Sequence, residues 1–253
     1  MKRTLSSALF AACLVSFLAG CAHTPGGPGA VTREQAAAIV ASPDRTAADR
    51  ENDVRRMPVE MLAFIGPRPG MTALDVSAGR GYSTELIARA VGPTGKVIGQ
   101  SPMPASGNPA PPPPFTDRQK NPQLAHMSFV RRPFDDAVPP ELKGKLDLVT
   151  LMFNYHDMGH LKVDRDKMNR AIFDGLKPGG MYIVADHASK PGTGINESGT
   201  LHRVEESFVV REVEASGFRL AARGDFLRHP EDPKDQAEPP YPKDEFVLKF
   251  LKP

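Results

Sequence analysis

Hydrophobic and polar residues change their spacing several times along the chain, and those changes mark its elements. Apolar residues recur at helical intervals over 34–40 and 47–64, where Val54, Met57, Met61, Leu62 and Phe64 form one apolar face. From Gly66 onward, short apolar runs alternate with helical segments. The runs at 72–76, 96–99, 127–130, 146–152, 180–185, 218–222 and 246–250 predict strands. Between them, 83–91 reads as a helix led by Ser83, 165–176 as a helix stopped by Gly179 and Gly180, and 205–216 as a helix closed by Gly217. Strands alternating with helices predict an α/β domain built on a mainly parallel sheet with helices on both faces.

Two stretches break the rhythm. The run "SPMPASGNPAPPPPF" at 101–115 predicts a loop after the second strand, because proline fixes φ and lacks the amide donor that a helix interior or a central strand needs. A second polar, proline-rich loop, 228–245, joins the last two strands.

The N-terminus follows a different logic. Lys2 and Arg3 precede an apolar run over 5–18, then Ala19, Gly20 and Cys21, a signal-peptide pattern too short to span a bilayer comfortably. Leu18-Ala19-Gly20-Cys21 resembles the bacterial lipobox, which implies cleavage after residue 20 and a lipid on Cys21. Residues 1–20 are then the signal peptide, 21–30 the lipidated Cys and a flexible Gly/Pro tether, and 31–253 the folded domain. Ala22, where retention at the inner membrane would call for Asp, implies a lipoprotein on the periplasmic face of the outer membrane.

Cysteine and charge narrow the chemistry. Cys13 lies in the removed segment and Cys21 takes the lipid, so the mature chain has no thiol for a disulfide, a nucleophile or a zinc site. The chain has 32 Lys+Arg against 30 Asp+Glu, and losing Lys2 and Arg3 leaves 30 of each. Without a basic excess or run there is no electrostatic case for nucleic acid.

The candidate chemistry begins at "LDVSAGRGY", residues 74–82. No Gly-Lys-Ser/Thr follows the glycine turn, so it is not a P-loop. Thr84 stands where a dinucleotide fold wants its third glycine, and the second strand ends at Gln100 rather than an acid. A carboxylate, Asp75, ending the first strand just before Gly79 and Gly81 suits a cationic ligand approached closely by backbone amides.

The stretch resembles motif I of the class I S-adenosylmethionine-dependent methyltransferases, D-x-G-x-G-x-G, with Ser77 at the first glycine. "LDLVTLMFNYHDM", "LKPGGMYIVADH", "EVEASGFRL" and "DEFVLKFLKP" match the order of that family's later elements, over about 58–253, and resemble a little-characterised group of predicted methyltransferases. The resemblance implies a Rossmann-like fold with a mainly parallel seven-stranded sheet. It also implies S-adenosylmethionine as cofactor, a small-molecule acceptor, and Asp75, Ser77, Gly79, Gly81, Gln100 and Asn154 as the cofactor site. Gln100 stands where the family carries an acid for the ribose, and Pro133 where it has an Asp for the adenine amine, with Asp135 and Asp136 just beyond.

Three histidine groups fall at predicted strand ends or nearby: Asn154-Tyr155-His156-Asp157, Asp186-His187, and His202-Arg203. Ligands of open α/β sheets bind at the carboxyl ends of strands, so these groups predict the acceptor side of the cleft. His156, Asp157, His187 and His202 are the catalytic candidates, with His156 the first choice for a base and His187 the second. His156, His187, His202 and Asp186 could also form a nitrogen and oxygen ligand set, which is the route to a metal-assisted hydrolase or lyase. No short-range ligand pair supports that route, and no metal is assigned. A cradle that binds another nucleoside or small ligand without methyl transfer is the other alternative, and no oligomeric state is specified.

Overall fold

The computed structural model describes residues 29–253, so the predicted signal peptide, Cys21 and most of the tether lie outside the described residues. Among the described residues no helix is long and apolar enough to cross a membrane.

Seven strands form one sheet: β1 (Thr72–Val76), β2 (Lys96–Ser101), β3 (Met127–Arg131), β4 (Leu146–Met152), β5 (Leu176–His187), β6 (Arg219–Gly224) and β7 (Glu245–Leu251). Their order is β3-β2-β1-β4-β5-β7-β6, with β7 antiparallel to both neighbours and the other pairs parallel. All seven predicted strands are present. The order reverses at β1, between β2 and β4, and that switch point is where an open α/β sheet leaves a crevice.

The period of two along the strands sorts side chains to two faces. Leu74, Val76, Val149, Leu151, Tyr182 and Val184 pack on one face with Met168 and Ile172 of α7 (Arg165–Gly175) and Val209 and Val213 of α8 (Glu206–Ala215). Ala73, Leu148, Ile183 and Val247 pack on the other, against Met61 and Ile65 of α3 (Pro58–Ile65) and Ile87 and Val91 of α4 (Tyr82–Val91). Asp75 shares this second face, so its carboxylate points toward α4 in the middle of an apolar layer.

Several predicted boundaries shift, each for a local reason. The helix expected over 47–64 is two helices, α2 (Ala47–Arg56) and α3, preceded by α1 (Arg33–Val40). Met57 between them adopts φ 43° and ψ 57°. Pro58 cannot donate an amide hydrogen bond and disfavours right-handed helix at the residue before it. The break takes Val54 off the apolar face, where it is 85% exposed.

Gly179 and Gly180 do not stop a helix. α7 ends at Gly175, and β5 absorbs the glycines through a register shift between its pairings with Leu146 and Leu148. The proline-rich segment is irregular only as far as Pro112, after which α5 (Pro113–Gln119) starts with proline in its first turn, where the missing amide costs nothing. α4 starts at Tyr82 with Gly81 as its cap, one residue before the predicted Ser83.

A cofactor cradle and a histidine rim in one cleft

A cavity of about 170 Å³ opens at the carboxyl end of β1. Its walls come from the glycine turn (Asp75, Ser77, Gly79), the start of α4 (Tyr82, Ser83), the end of β4 (Phe153, Asn154) and the end of α2 (Asn52, Arg56). Asp75 is 1% exposed, and its oxygens accept hydrogen bonds from Thr84 Oγ1 at 2.6 Å and Thr150 Oγ1 at 2.7 Å. Burial raises this carboxyl to about 6 despite the two hydroxyls, which pull the other way. Gly81, the cap of α4, has no side chain to bond the first-turn amides.

Ser77, at the motif's first glycine position, takes φ 59°. A left-handed backbone costs a non-glycine residue roughly 1–2 kcal/mol, and here it turns the chain from β1 into the glycine turn. Gly81 and Gly99 are glycine for packing. A Cβ on either would lie 2.8 Å or 2.6 Å from the ring of Phe115, the buried aromatic of α5.

Two predicted cofactor residues do not reach this cavity. Gln100 is fully buried, with Oε1 accepting from the Ser77 amide at 3.2 Å and Nε2 donating to the Arg132 carbonyl at 2.6 Å. It ties the glycine turn to the end of β3 and, being fully buried, does not line the cavity. Gly81 faces Phe115 instead of the cavity. Pro133 caps a single turn of 3-10 helix (Phe134–Asp136), while Asp135 and Asp136 pair with Lys167 and Arg132.

Sequence reasoning missed Arg56. The break at Met57 ends α2 beside the cavity, and the Arg56 guanidinium lies 3.4 Å from the centroid of the Phe153 ring. Its Nη1 is buried with no hydrogen-bond partner. Burial, reinforced by the neighbouring Arg55 charge, lowers its pKa to about 10, so it remains a cation at neutral pH. The signal was the proline that breaks the helix at this position.

The histidine rim continues the cleft from Asn154, whose Nδ2 donates to Asp157 Oδ2 at 2.8 Å. His156 Nδ1 lies 2.7 Å from Asp186 Oδ1, and the His156 amide donates to Asp186 Oδ2 at 2.7 Å. Asp186 therefore holds the His156 ring across the sheet, while from its chain neighbour His187 it accepts only the backbone amide. On its other side, His156 Nε2 lies 3.1 Å from Asp157 Oδ1. His202 comes in from a loop with its Nδ1 3.7 Å from the same oxygen. His187 is buried, its ring 5.6 Å from that of His156, and its Nδ1 sits 2.8 Å from Glu245 Oε1 without the alignment of a hydrogen bond. The structure thus brings all four catalytic candidates together.

Electrostatics revise the role expected of His156. Burial lowers an imidazole pKa, but hydrogen bonds to Asp157 and Asp186 and the charges behind them raise this one to about 9. At neutral pH it is an imidazolium between two carboxylates and cannot accept a proton. Asp157 is held at about 2, because bonds from His156 and Asn154 outweigh its partial burial.

No family model matches the chain. Over 129 residues, 50% of the chain, it is 34% identical to the demethylmenaquinone methyltransferase of Staphylococcus aureus strain JH9. The match takes in 47% of that relative, so the chain spans about half the length of the curated relatives it matches. A SAM dependent methyltransferase from Aquifex aeolicus superposes with TM-score 0.58 at 16% identity, covering 81% of this chain and 97% of that one. The cyclase SpnF superposes with TM-score 0.57 at 18% identity, covering 82% of each chain. Identities this low show the fold alone. The chain has the Rossmann-like methyltransferase fold, with the strand order and switch-point cleft described above.

Proposed function

We propose that the chain is a S-adenosylmethionine-dependent methyltransferase acting on a small-molecule acceptor at the histidine rim. One observation carries the reading. A single small cavity is walled by a buried carboxylate, Asp75, and by a guanidinium with an unpartnered buried nitrogen, Arg56 Nη1. An α-amino acid zwitterion offers one group for each, and an unpartnered buried donor is costly until something accepts from it. The partial match to a demethylmenaquinone methyltransferase points the same way.

S-adenosylmethionine, when bound, would supply an electrophilic methyl group on a sulfonium. Asp75, Ser77, Gly79 and Asn154 would hold its amino-acid end with Arg56, while the rim orients the acceptor. Orientation is the main demand of an in-line displacement. His156 is already protonated and Asp157 is held too acidic to act as a base, so an acceptor proton would pass to His202, which is 46% exposed.

The test is calorimetric titration with S-adenosylmethionine and S-adenosylhomocysteine. Micromolar affinity in the native chain, lost by about 100-fold in Asp75→Asn, is the expected result, since a hydrogen-bonded charge contributes roughly 1.5–3 kcal/mol. Unchanged affinity in that variant rejects the site assignment.

A second reading has its own support. Gln100 is buried against the Ser77 amide and the Arg132 carbonyl and does not line the cavity, so it does not face a ribose there. A protein that binds a small ligand without transferring methyl groups would show saturable binding and no methylated product.

We also infer export as a lipoprotein on the periplasmic face of the outer membrane, from the pattern ending at Cys21. A diacylglycerol-modified Cys21 in the mass spectrum of the mature chain is the expected finding. An unprocessed N-terminus overturns it.

A further inference from the structure

The rim holds more metal-ligand chemistry than methyl transfer asks of it. His156, Asp157 and His202 each present a ligand atom within 4.8 Å of the other two. Bonds of about 2.0–2.2 Å to zinc place the ligands of one ion roughly 3.0–3.5 Å apart. His156 Nε2 and Asp157 Oδ1, at 3.1 Å, already have that spacing. His202 Nδ1, at 3.7 Å from the same oxygen, is within a small side-chain movement of it, and its 46% exposure leaves room to move.

The surroundings are those of a supported ligand set. Asp186 accepts from both Nδ1 and the backbone amide of His156, so the ring is fixed with Nε2 toward Asp157. A carboxylate behind a ligating histidine is the usual second support of a metal site. Asn154 Nδ2 bonds Asp157 Oδ2 and leaves Oδ1 facing the imidazoles. Ser198 Oγ bonds the carbonyl of His156 and the amide of His160, locking the loop that leads to His202 onto α6 (Asp157–His160). Gly159 makes this close approach feasible, because a Cβ there would sit 2.6 Å from Ile195. His202 itself is held at φ 52°, a left-handed backbone that the rest of the loop must enforce.

Charge gives an independent reason. Among the described residues, every ion-pair partner of Asp157 and Asp186 is an imidazole, with no Lys or Arg among them. Two carboxylates whose only ion-pair partners are imidazoles suit a divalent cation. Two imidazoles with one carboxylate select a borderline transition metal over Mg²⁺ or Ca²⁺, which prefer all-oxygen shells.

We propose that His156 Nε2, Asp157 Oδ1 and His202 Nδ1 bind one divalent transition-metal ion of the zinc class, the ion taking the place of the proton between His156 Nε2 and Asp157, which leaves to solvent, and its remaining positions opening to the cleft. Three protein ligands with an open position is the pattern of ions that act on a bound water or substrate oxygen. The site does not depend on the methyltransferase reading, although an acceptor oxygen held there would need no histidine base.

The experiment is titration of the chelator-stripped full chain with Zn²⁺ by calorimetry, and with Co²⁺ by visible absorption. One Zn²⁺ per chain and a Co²⁺ spectrum free of thiolate bands are expected. Asp157→Asn and His202→Asn should each weaken Zn²⁺ binding by at least about tenfold, and Asp186→Asn by about 10–100-fold through the second support. His229→Asn, outside the rim, should leave it unchanged. His202→Asn keeps the test valid even if the buried variants fold poorly, because the position is exposed and Asn tolerates a left-handed backbone. No saturable Zn²⁺ or Co²⁺ binding, or equal affinity in His202→Asn, overturns the proposal. Neither result depends on S-adenosylmethionine, so failure here and failure of the methyltransferase reading are separate outcomes.

Discussion

The two sides of the cleft are built in opposite ways. The motif of the cradle around Asp75 lies in one continuous stretch running from β1 through the glycine turn into α4, held from outside by side-chain hydrogen bonds, one from Thr150 of β4 and one to Gln100 of β2. The rim is assembled from four separate places: Asn154 to Asp157 after β4, Asp186 and His187 at the end of β5, His202 in the following loop, and Glu245 at the start of β7. Local construction makes the cradle a matter of backbone geometry. Assembly from distant segments makes the rim a matter of buried charge, so substitutions there should damage stability and chemistry together.

The sharpest break in that comparison is Asp186→Ala. Asp186 is fully buried and holds His156 by ring and backbone. Removing it leaves a buried imidazolium with one partner, at a cost of about 3–5 kcal/mol in denaturant unfolding. A loss below about 1 kcal/mol would mean that water readily replaces the carboxylate and that the rim is less rigid than its geometry indicates.

Arg56→Met tests the cradle with the opposite signature. The guanidinium stacks on Phe153 but leaves Nη1 unpartnered, so the unliganded protein should lose no more than about 1 kcal/mol. Affinity for S-adenosylmethionine should fall by about 10–100-fold, the worth of a charge-assisted hydrogen bond. Equal losses in stability and affinity would make Arg56 a packing residue.

What could be read from the sequence follows the same division. Strand spacing exposed all seven strands, and Asp75 with Gly79 showed in one short motif, because a period of two and a turn are local properties. Gln100 misled because its position at the end of β2 says nothing about where its amide points, and the two bonds that occupy it reach across to β1 and β3. Arg56 was hidden because Phe153, the ring it stacks on, is about a hundred positions away, and the glycine turn that it joins in the cavity wall begins about twenty positions further on. The rim histidines were found as three separate groups, but their pairing was not. Asp186 lies next to His187 in the chain and beside His156 in space, and only the sheet register decides between them.

A smaller effect separates the two sides by pH. Burial raises the Asp75 carboxyl from the ordinary 3.8 to about 6 in the folded chain. The folded state therefore binds more protons than the unfolded state between roughly pH 4 and 6, and Asp75's contribution to stability is greatest below that window and declines as pH rises through it. A cationic ligand needs the ionised form, so affinity for S-adenosylmethionine should fall by up to about tenfold per unit below pH 6 and level off above it. In Asp75→Asn that dependence should disappear. Persistence of the slope in the variant would place the titrating group elsewhere in the cleft.

The smallest expected effect concerns access. The rim is open to solvent at His202, whereas the space beyond the end of β2 is covered by the proline-rich segment. Arg131 donates to the carbonyls of Pro102 at 2.9 Å, Pro109 at 3.3 Å and Ala110 at 2.6 Å, and stacks on Phe129, whose ring meets Phe115 at 4.9 Å. The cavity of about 170 Å³ is smaller than the roughly 300–1,000 Å³ of typical small-molecule sites, and a second cavity of about 400 Å³ shares its Asn52, Arg80 and Tyr82 walls, so a nucleoside-sized group has two ways to fit: into that second space, or past the proline-rich segment. Arg131→Ala removes the tie at a cost of about 1 kcal/mol in the closed arrangement, which corresponds to about a fivefold shift toward the open one. Stopped-flow association of S-adenosylhomocysteine should then speed up by about that factor, while Zn²⁺ binding at the rim stays as it was. If the association rate is unchanged, the segment does not gate the cradle, and the ligand enters by the space between α2, α4 and α5.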